Sequence, residues 1–316
     1  MKYIRSDICN ILGIEYPIIQ GAMAWISDAS LASAVSNAGG LGIIAAGNAP
    51  LEWVESQIDT AAKNTDKPFG VNIMLMSPTA AQVVELVIDK KVKAVTTGAG
   101  NPSQYIDRLK ENGIKILPVI PSVSLALRMQ KIGADAVIAE GCESGGHIGE
   151  LTTMCLVPQV KDALQIPVVA AGGIADGRGI AASFVLGADG VQVGTGFLVA
   201  DECNISEIYK EKVLKAKDTD TVVTGRVNKM PIRQLKNQFT RKLLDMELNT
   251  DMSLEEYELR AAGSLKKAVI DGDADNGSFM CGQIAGLIKE RQSAKQIIER
   301  MFAECDAVFD NIFKGN

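Results

Sequence analysis

Short apolar runs recur along the chain at nearly constant spacing, at residues 17–20, 41–45, 69–73, 94–97, 115–120, 135–139, 167–171 and 190–193. Continuous runs of this length are how parallel strands covered on both faces read in a sequence. Segments of helical period lie between them and carry end signals. In "DASLASAVSNAGG", Asp28 can cap the start and Gly39 or Gly40 the end. In "NPSQYIDRLKENG", Asn101 is the cap, Pro102 the first helical residue and Gly113 the stop, and "PSVSLALRMQKIG" ends on Gly133. Eight strand and helix units in about two hundred residues predict an α/β fold, a (β/α)8 TIM barrel, with an open doubly wound sheet as the alternative. The first βα turn, "IIQGAMAWISD", has one glycine where a dinucleotide fold wants G-x-G-x-x-G, which favours the barrel.

Past Ala200 the rhythm stops. Residues 204 to about 276 read mostly as polar helices with no good buried strand, so a smaller, mainly helical inserted domain is expected. Ile232, Leu235, Phe239 and Leu243 fall at three- and four-residue steps, as on one apolar helix face. After the turn-rich "DGDADNGS", apolar positions from Ile284 to Phe309 suit closing helices. The predicted organisation is 1–203 barrel, 204–282 smaller substrate or lid domain, and 283–316 helices returning to the barrel.

With 316 residues, 47% of them hydrophobic, the chain can bury a substantial core. Its apolar runs are short and broken by glycine, and Lys2, Arg5, Asp7 and Glu15 stand among the first residues. Neither a membrane span nor a signal peptide is expected, and the cytoplasm is the expected location. The cysteines, Cys9, Cys142, Cys155, Cys203, Cys281 and Cys305, are scattered without metal-ligand spacing and read as buried reduced thiols. Cys142 lies five residues before His147, so a thiol and imidazole pair is a nucleophile candidate.

A formal net charge of −6 argues against nucleic acid as a partner. One segment runs the other way: "RVNKMPIRQLKNQFTRK" holds Arg226, Lys229, Arg233, Lys236, Arg241 and Lys242 and no acidic residue. It reads either as a solvated helix face or as a docking surface for something anionic.

In a barrel the site collects at the carboxyl ends of the strands, with phosphate bound by the loops after the last two. Those loops read "AAGGIADG" and "VQVGTGF", so Gly172, Gly173, Gly194 and Thr195 are the expected phosphate binders. Gln20, Asn72, Thr96, Thr97 and Glu140 end other strands and can hydrogen-bond a flat heteroaromatic ring. Ala22, Met23 and Met280 can cover its faces. The only histidine, His147, stands in "GCESGGHIGE" after strand six, where Gly145, Gly146 and Gly149 keep bulk away and a general acid would be well placed.

The blocks "YPIIQGAMAWISD", "GGLGIIAAGNAP", "KPFGVNIMLMSP", "VTTGAGNPS", "IGADAVIAEGCESGGHIGELTTM", "PVVAAGGIADG", "GADGVQVGT" and "GQIAGLI" together resemble the flavin-dependent enoyl-acyl-carrier-protein reductases of the FabK type, relatives of nitronate monooxygenases. The resemblance spans nearly the whole chain. It implies an FMN barrel that reduces 2-enoyl thioesters with NADH or NADPH, with His147 at the active site. It extends the cofactor-binding set to Gly21, Ala22, Met23, Asn72, Thr97, Glu140, Ala171, Met280, Gly282 and Gln283. It also implies stimulation by a monovalent cation, acyl carrier protein docked on the basic segment, and a homodimer. One position departs: Gly196 stands where the resemblance leads one to expect an arginine in "VGTRF". Nitronate oxidation by the same cofactor is the nearest rival activity, and a flavin-binding redox sensor without turnover is the rival of another class.

Overall fold

The computed structural model describes the chain except residues 48, 249–253 and 315–316. Eleven strands occur among the described residues: β1 Ile18–Gln20, β2 Gly42–Ala45, β3 Phe69–Met74, β4 Ala94–Gly98, β5 Lys115–Ile120, β6 Val137–Glu140, β7 Gly146–His147, β8 Val168–Ala171, β9 Gly190–Val193, β10 Thr221–Thr224 and β11 Ile232–Leu235. Eight of them form one parallel sheet in the order β1-β9-β8-β6-β5-β4-β3-β2. A bridge between Ile19 and Leu41 joins its two ends, with Gln20 N donating to Leu41 O and Leu41 N to Ile18 O, both at 2.9 Å. The result is the expected (β/α)8 barrel. All eight predicted strands are present, with ends displaced by two residues at most.

Two apolar clusters explain why those runs are continuous. Ile19, Leu41, Ile43, Ala94, Leu117, Ile138 and Val169 fill the barrel, while Ile44, Val71 and Val95 pack against the surrounding helices. A strand wedged between two such layers has no wet face. Each fully buried Ile, Leu or Val contributes about 1.5–3 kcal/mol.

The helix ends largely follow the sequence signals. Asp28 accepts from Leu31 N at the start of the helix Ala29–Asn37, and Gly133 ends Val123–Ile132 with φ +99°. The helix Ser103–Glu111 begins one residue later than expected, so that Pro102 is its cap and Asn101 accepts from Ser103 N at 3.2 Å.

The region after Ala200 corrects the expectation of mainly helices without a good buried strand. Helices Glu207–Lys215 and Gln238–Glu247 are present, but β10 and β11 pair antiparallel, and β11 also pairs with β7 from the barrel loop, setting Ile232 opposite His147 and Arg233 opposite Gly146. The apolar stripe is therefore split: Ile232 and Leu235 lie on β11, and Phe239 and Leu243 on the following helix. Pro231 and the capping box of Asn237 with Thr240 break any helix on either side of β11, so the three- and four-residue spacing crosses a chain reversal. The chain then runs through Leu254–Ala261 and Ser264–Lys266 into a π-helical turn, Lys267–Asp271. The helix Ala294–Lys314 closes the barrel against Gly177–Val185.

Among the described residues no helix is long and apolar enough to cross a membrane, and no group of three or more His, Cys, Asp or Glu is placed to hold a metal ion.

Candidate active site

The carboxyl ends of the barrel strands open into a cavity of about 310 Å³. That volume lies in the range of small-molecule and cofactor sites. Its lining includes Gly21, Ala22 and Met23 after β1, Asn72 on β3, Glu140 on β6, Ala171, Gly172 and Gly173 at the end of β8, Gly194 and Thr195 after β9, and Met280 and Gly282. His147 lines it too, from β7.

Four expected members, Gln20, Thr96, Thr97 and Gln283, are not among the residues that line it. Along β4 the side chains alternate, so Ala94 joins the barrel interior and Val95 the outer layer. The same alternation turns Thr96 inward and Thr97 outward. Thr97 is buried outside the cavity, and its hydroxyl finds no partner. Gln283 is exposed, with only its backbone engaged, donating to Glu143 O at 2.9 Å. Gln20, read as a ring contact, is used up inside the barrel: it donates to the Ser27 hydroxyl at 2.8 Å and accepts from Ile43 N at 3.0 Å.

Asn72 donates to the Thr96 hydroxyl at 2.9 Å, which directs its amide nitrogen sideways and leaves its carbonyl oxygen for the cavity. Glu140 has its carboxyl pushed up to about 7 by burial, so it is largely neutral below that pH. Ser144 lies near enough to pull this back slightly, yet its hydroxyl is buried without a partner at hydrogen-bonding geometry. An orphaned hydroxyl in a cavity wall is a vacancy for a polar ligand atom. Gly172 and Gly173 have φ of +92° and +73°, and consecutive left-handed residues turn backbone N–H groups toward one point. Gly145 approaches so closely that a Cβ there would stand 2.5 Å from the backbone carbon of Cys281. These features fit a flat heteroaromatic ligand carrying a phosphate.

His147 faces water at the cavity mouth and protein behind it. Desolvation holds its imidazole below the ordinary 6.5, so it is predominantly neutral at pH 7. Its loop is held by Arg233, whose Nε and Nη2 donate to Cys142 O at 3.1 and 3.0 Å and whose Nη1 donates to the Thr221 hydroxyl at 3.2 Å. Arg233 is therefore no free surface cation: it is 7% exposed and belongs to the wall behind the site. Of the other basic residues in 226–242, Lys229, Lys236, Arg241 and Lys242 are exposed, and Arg226 lies 3.6 Å from Glu150.

The Cys142 thiol is pushed up by burial and by Glu143, and makes no hydrogen bond with His147 among the described residues, so the nucleophile pair is not formed. Of the cysteines expected to be buried, Cys203, Cys281 and Cys305 are; Cys9 and Cys142 are half-buried and Cys155 is exposed.

Glu143, a cavity residue not anticipated from the sequence, accepts from Thr153 N and Oγ1 at 3.0 Å and ties the loop after β6 to the next helix. Its pairing crosses ten residues of loop, so no local pattern marks it. Gly196 is buried outside the cavity, and a Cβ there would meet Val193 at 3.0 Å.

A barrel with a ligand cavity and an imidazole at its strand ends defines a class of small-molecule enzyme. The sequence model described as nitronate monooxygenase matches residues 5–83 and 76–304, and the chain belongs to that family, one of oxidoreductases. It is 36% identical to a probable nitronate monooxygenase of Staphylococcus saprophyticus, covering 97% of this chain and 99% of that protein. It is 35% identical to a hydroxy-methyl-oxo-octahydroindene-carboxyl-CoA dehydrogenase of Mycobacterium tuberculosis, over 94% of each. Among solved structures, FabK from Thermotoga maritima is 50% identical over 98% of each chain, with a TM-score of 0.95.

Proposed function

We propose that the protein is an FMN-dependent enoyl-acyl-carrier-protein reductase that reduces trans-2-enoyl thioesters with NADH or NADPH. The observation that carries this reading is the likeness to FabK over nearly the whole chain at half identity. In this reading the flavin, when bound, supplies hydride transfer between a reduced nicotinamide and a conjugated double bond.

The protein's part is to hold, orient and stabilise. Gly172, Gly173, Gly194 and Thr195 hold the phosphate. When a flavin is bound, Asn72, Glu140 and Ser144 would offer its ring an acceptor, a carboxyl protonated below about pH 7 and an orphaned hydroxyl. Negative charge that builds on a thioester oxygen must meet a donor already in place. His147 supplies one, as a neutral imidazole donating an N–H. Its lowered pKa favours this anchoring role over donation from imidazolium, which is scarce at pH 7. Residues 204–282 act as the lid, and an acidic carrier docks on the exposed Lys229, Lys236, Arg241 and Lys242.

His147→Ala is expected to leave flavin bound and to slow its reoxidation by a 2-enoyl thioester by about 10² to 10⁴-fold in stopped-flow absorbance. Unchanged reoxidation removes His147 from the mechanism. The rival is nitronate oxidation, favoured by the family match; a protein reduced by a nitronate but not by NADH takes that side.

A further inference from the structure

Trp25 sits on the turn after β1 with φ +66°, a left-handed backbone that a bulky residue rarely adopts. The turn is fixed from within. Met23 O accepts from Ile26 N at 3.0 Å and from Ser27 N at 2.9 Å, and the Ser27 hydroxyl accepts from Met23 N at 2.9 Å. The core gains little from this conformation, because Trp25 is 45% exposed. Ala24 and Ile26, on either side of it, line the cavity. So does Leu265, from the helical segment opposite. The next residue, Lys266, sets its ammonium nitrogen 5.2 Å from the centre of the Trp25 ring. Indole and ammonium thus meet across the mouth, just outside the cavity. A cation–π contact at an exposed site is worth only about two- to five-fold in an equilibrium, so either group can exchange it for a ligand.

We infer that Trp25 and Lys266 form a subsite at the cavity mouth for the phosphate-bearing tail of the ligand whose reacting end lies inside. The ammonium takes a phosphate and the indole takes the flat or apolar part of the tail. This rests on the proposed function, in which enoyl thioester and reductant both join a reacting group to phosphate through an extended arm. The strained turn fixes the indole where such an arm must leave the cavity.

Trp53, the second of two tryptophans, lies on the helix Leu51–Asn64, so Trp53→Phe leaves Trp25 as the sole indole reporter. The flavin-loaded Trp53→Phe protein would be titrated separately with crotonyl-CoA, with ADP-ribose as the reductant's tail, and with the phosphate-free crotonyl N-acetylcysteamine thioester. Trp25 emission is expected to respond saturably to one or both phosphate-bearing compounds and not to the third. Lys266→Met in the same background is expected to weaken that binding about five-fold or more. Response to crotonyl-CoA alone assigns the tail to the enoyl thioester; response to ADP-ribose alone assigns it to the reductant. No response to either, an equal response to the neutral thioester, or unchanged affinity in Lys266→Met overturns the subsite. The flavin band reads the underlying function separately. If NADH and the thioesters leave it unchanged while Trp25 responds, the reductase reading falls and the subsite stands.

Discussion

The barrel strands line the cavity directly and the small sheet of β7, β10 and β11 reaches it through β7, and the two are held by different forces. Inside the barrel the buried positions are mostly Ile, Leu, Val and Ala, with Gln20 and Thr96 among them, and shape largely decides what fits. In the small sheet the buried positions include Thr224, Arg233 and Gln234. There Gln234 donates to the Thr224 hydroxyl at 3.0 Å and accepts from Ser278 at 2.6 Å, while Arg233 grips Cys142 O. The first region tolerates no added volume, and the second tolerates no lost partner. The proposed cofactor cradle stands on the rigid barrel, and the imidazole stands where the barrel meets the hydrogen-bonded sheet.

The sharpest break is in the barrel. A Cβ on Gly42 would stand 1.8 Å from the carbonyl oxygen of Ala32, which is backbone and cannot move aside alone. Gly42→Ala should cost more than about 4 kcal/mol, seen as lost soluble protein or a collapsed urea midpoint. A cost under about 1 kcal/mol would show that the helix Ala29–Asn37 is not closely seated.

The matching break in the sheet is Arg233→Met, which keeps bulk and removes the donors. Leaving Cys142 O unpaired should cost about 1–3 kcal/mol in urea unfolding. Reoxidation of the flavin by enoyl thioester should fall well beyond that loss, because the His147 loop is released while the cradle is untouched. Equal loss of flavin affinity would mean that the two regions are not separable.

The smallest effect lies on the cavity wall at the end of β6. Glu140 is held at about 7 against an ordinary 4.5. The folded protein keeps a proton that the unfolded chain releases between these values. This contribution to stability is complete below 4.5 and is lost as pH rises through about 7. The slope is at most about 1.4 kcal/mol per pH unit. His147, lowered below 6.5, acts in the opposite sense over the window just beneath that pH, where stability rises with pH. Glu140→Gln should flatten the fall in urea stability of the ligand-free protein; an unchanged slope would remove Glu140 as its source.

The same division decides what the sequence reveals. Strands such as Val168–Ala171 are apolar because both faces are covered, so burial is visible in hydropathy. The glycines after β8 and β9 are visible because the proposed phosphate-binding turns would need them. β11 reads "IRQL", and its burial depends on β10 across a short connection and on the loop after β6 and Ser278, which are far away in sequence. Arg233 therefore looks like one more surface cation in a basic run. Thr97 shows the finer limit: a strand-end residue is recognisable, but the face it takes depends on strand register, and one residue separates Thr96 toward the interior from Thr97 away from it.

The central claim, that this cavity passes electrons from reduced nicotinamide to an enoyl thioester, is met most directly by an anaerobic optical titration of the flavin-loaded protein. NADH is added first and a short 2-enoyl thioester second, while the flavin band is followed. The account predicts bleaching by NADH and recovery of the colour with the thioester. A flavin that stays oxidised with both NADH and NADPH, yet is bleached by an alkyl nitronate, would contradict it.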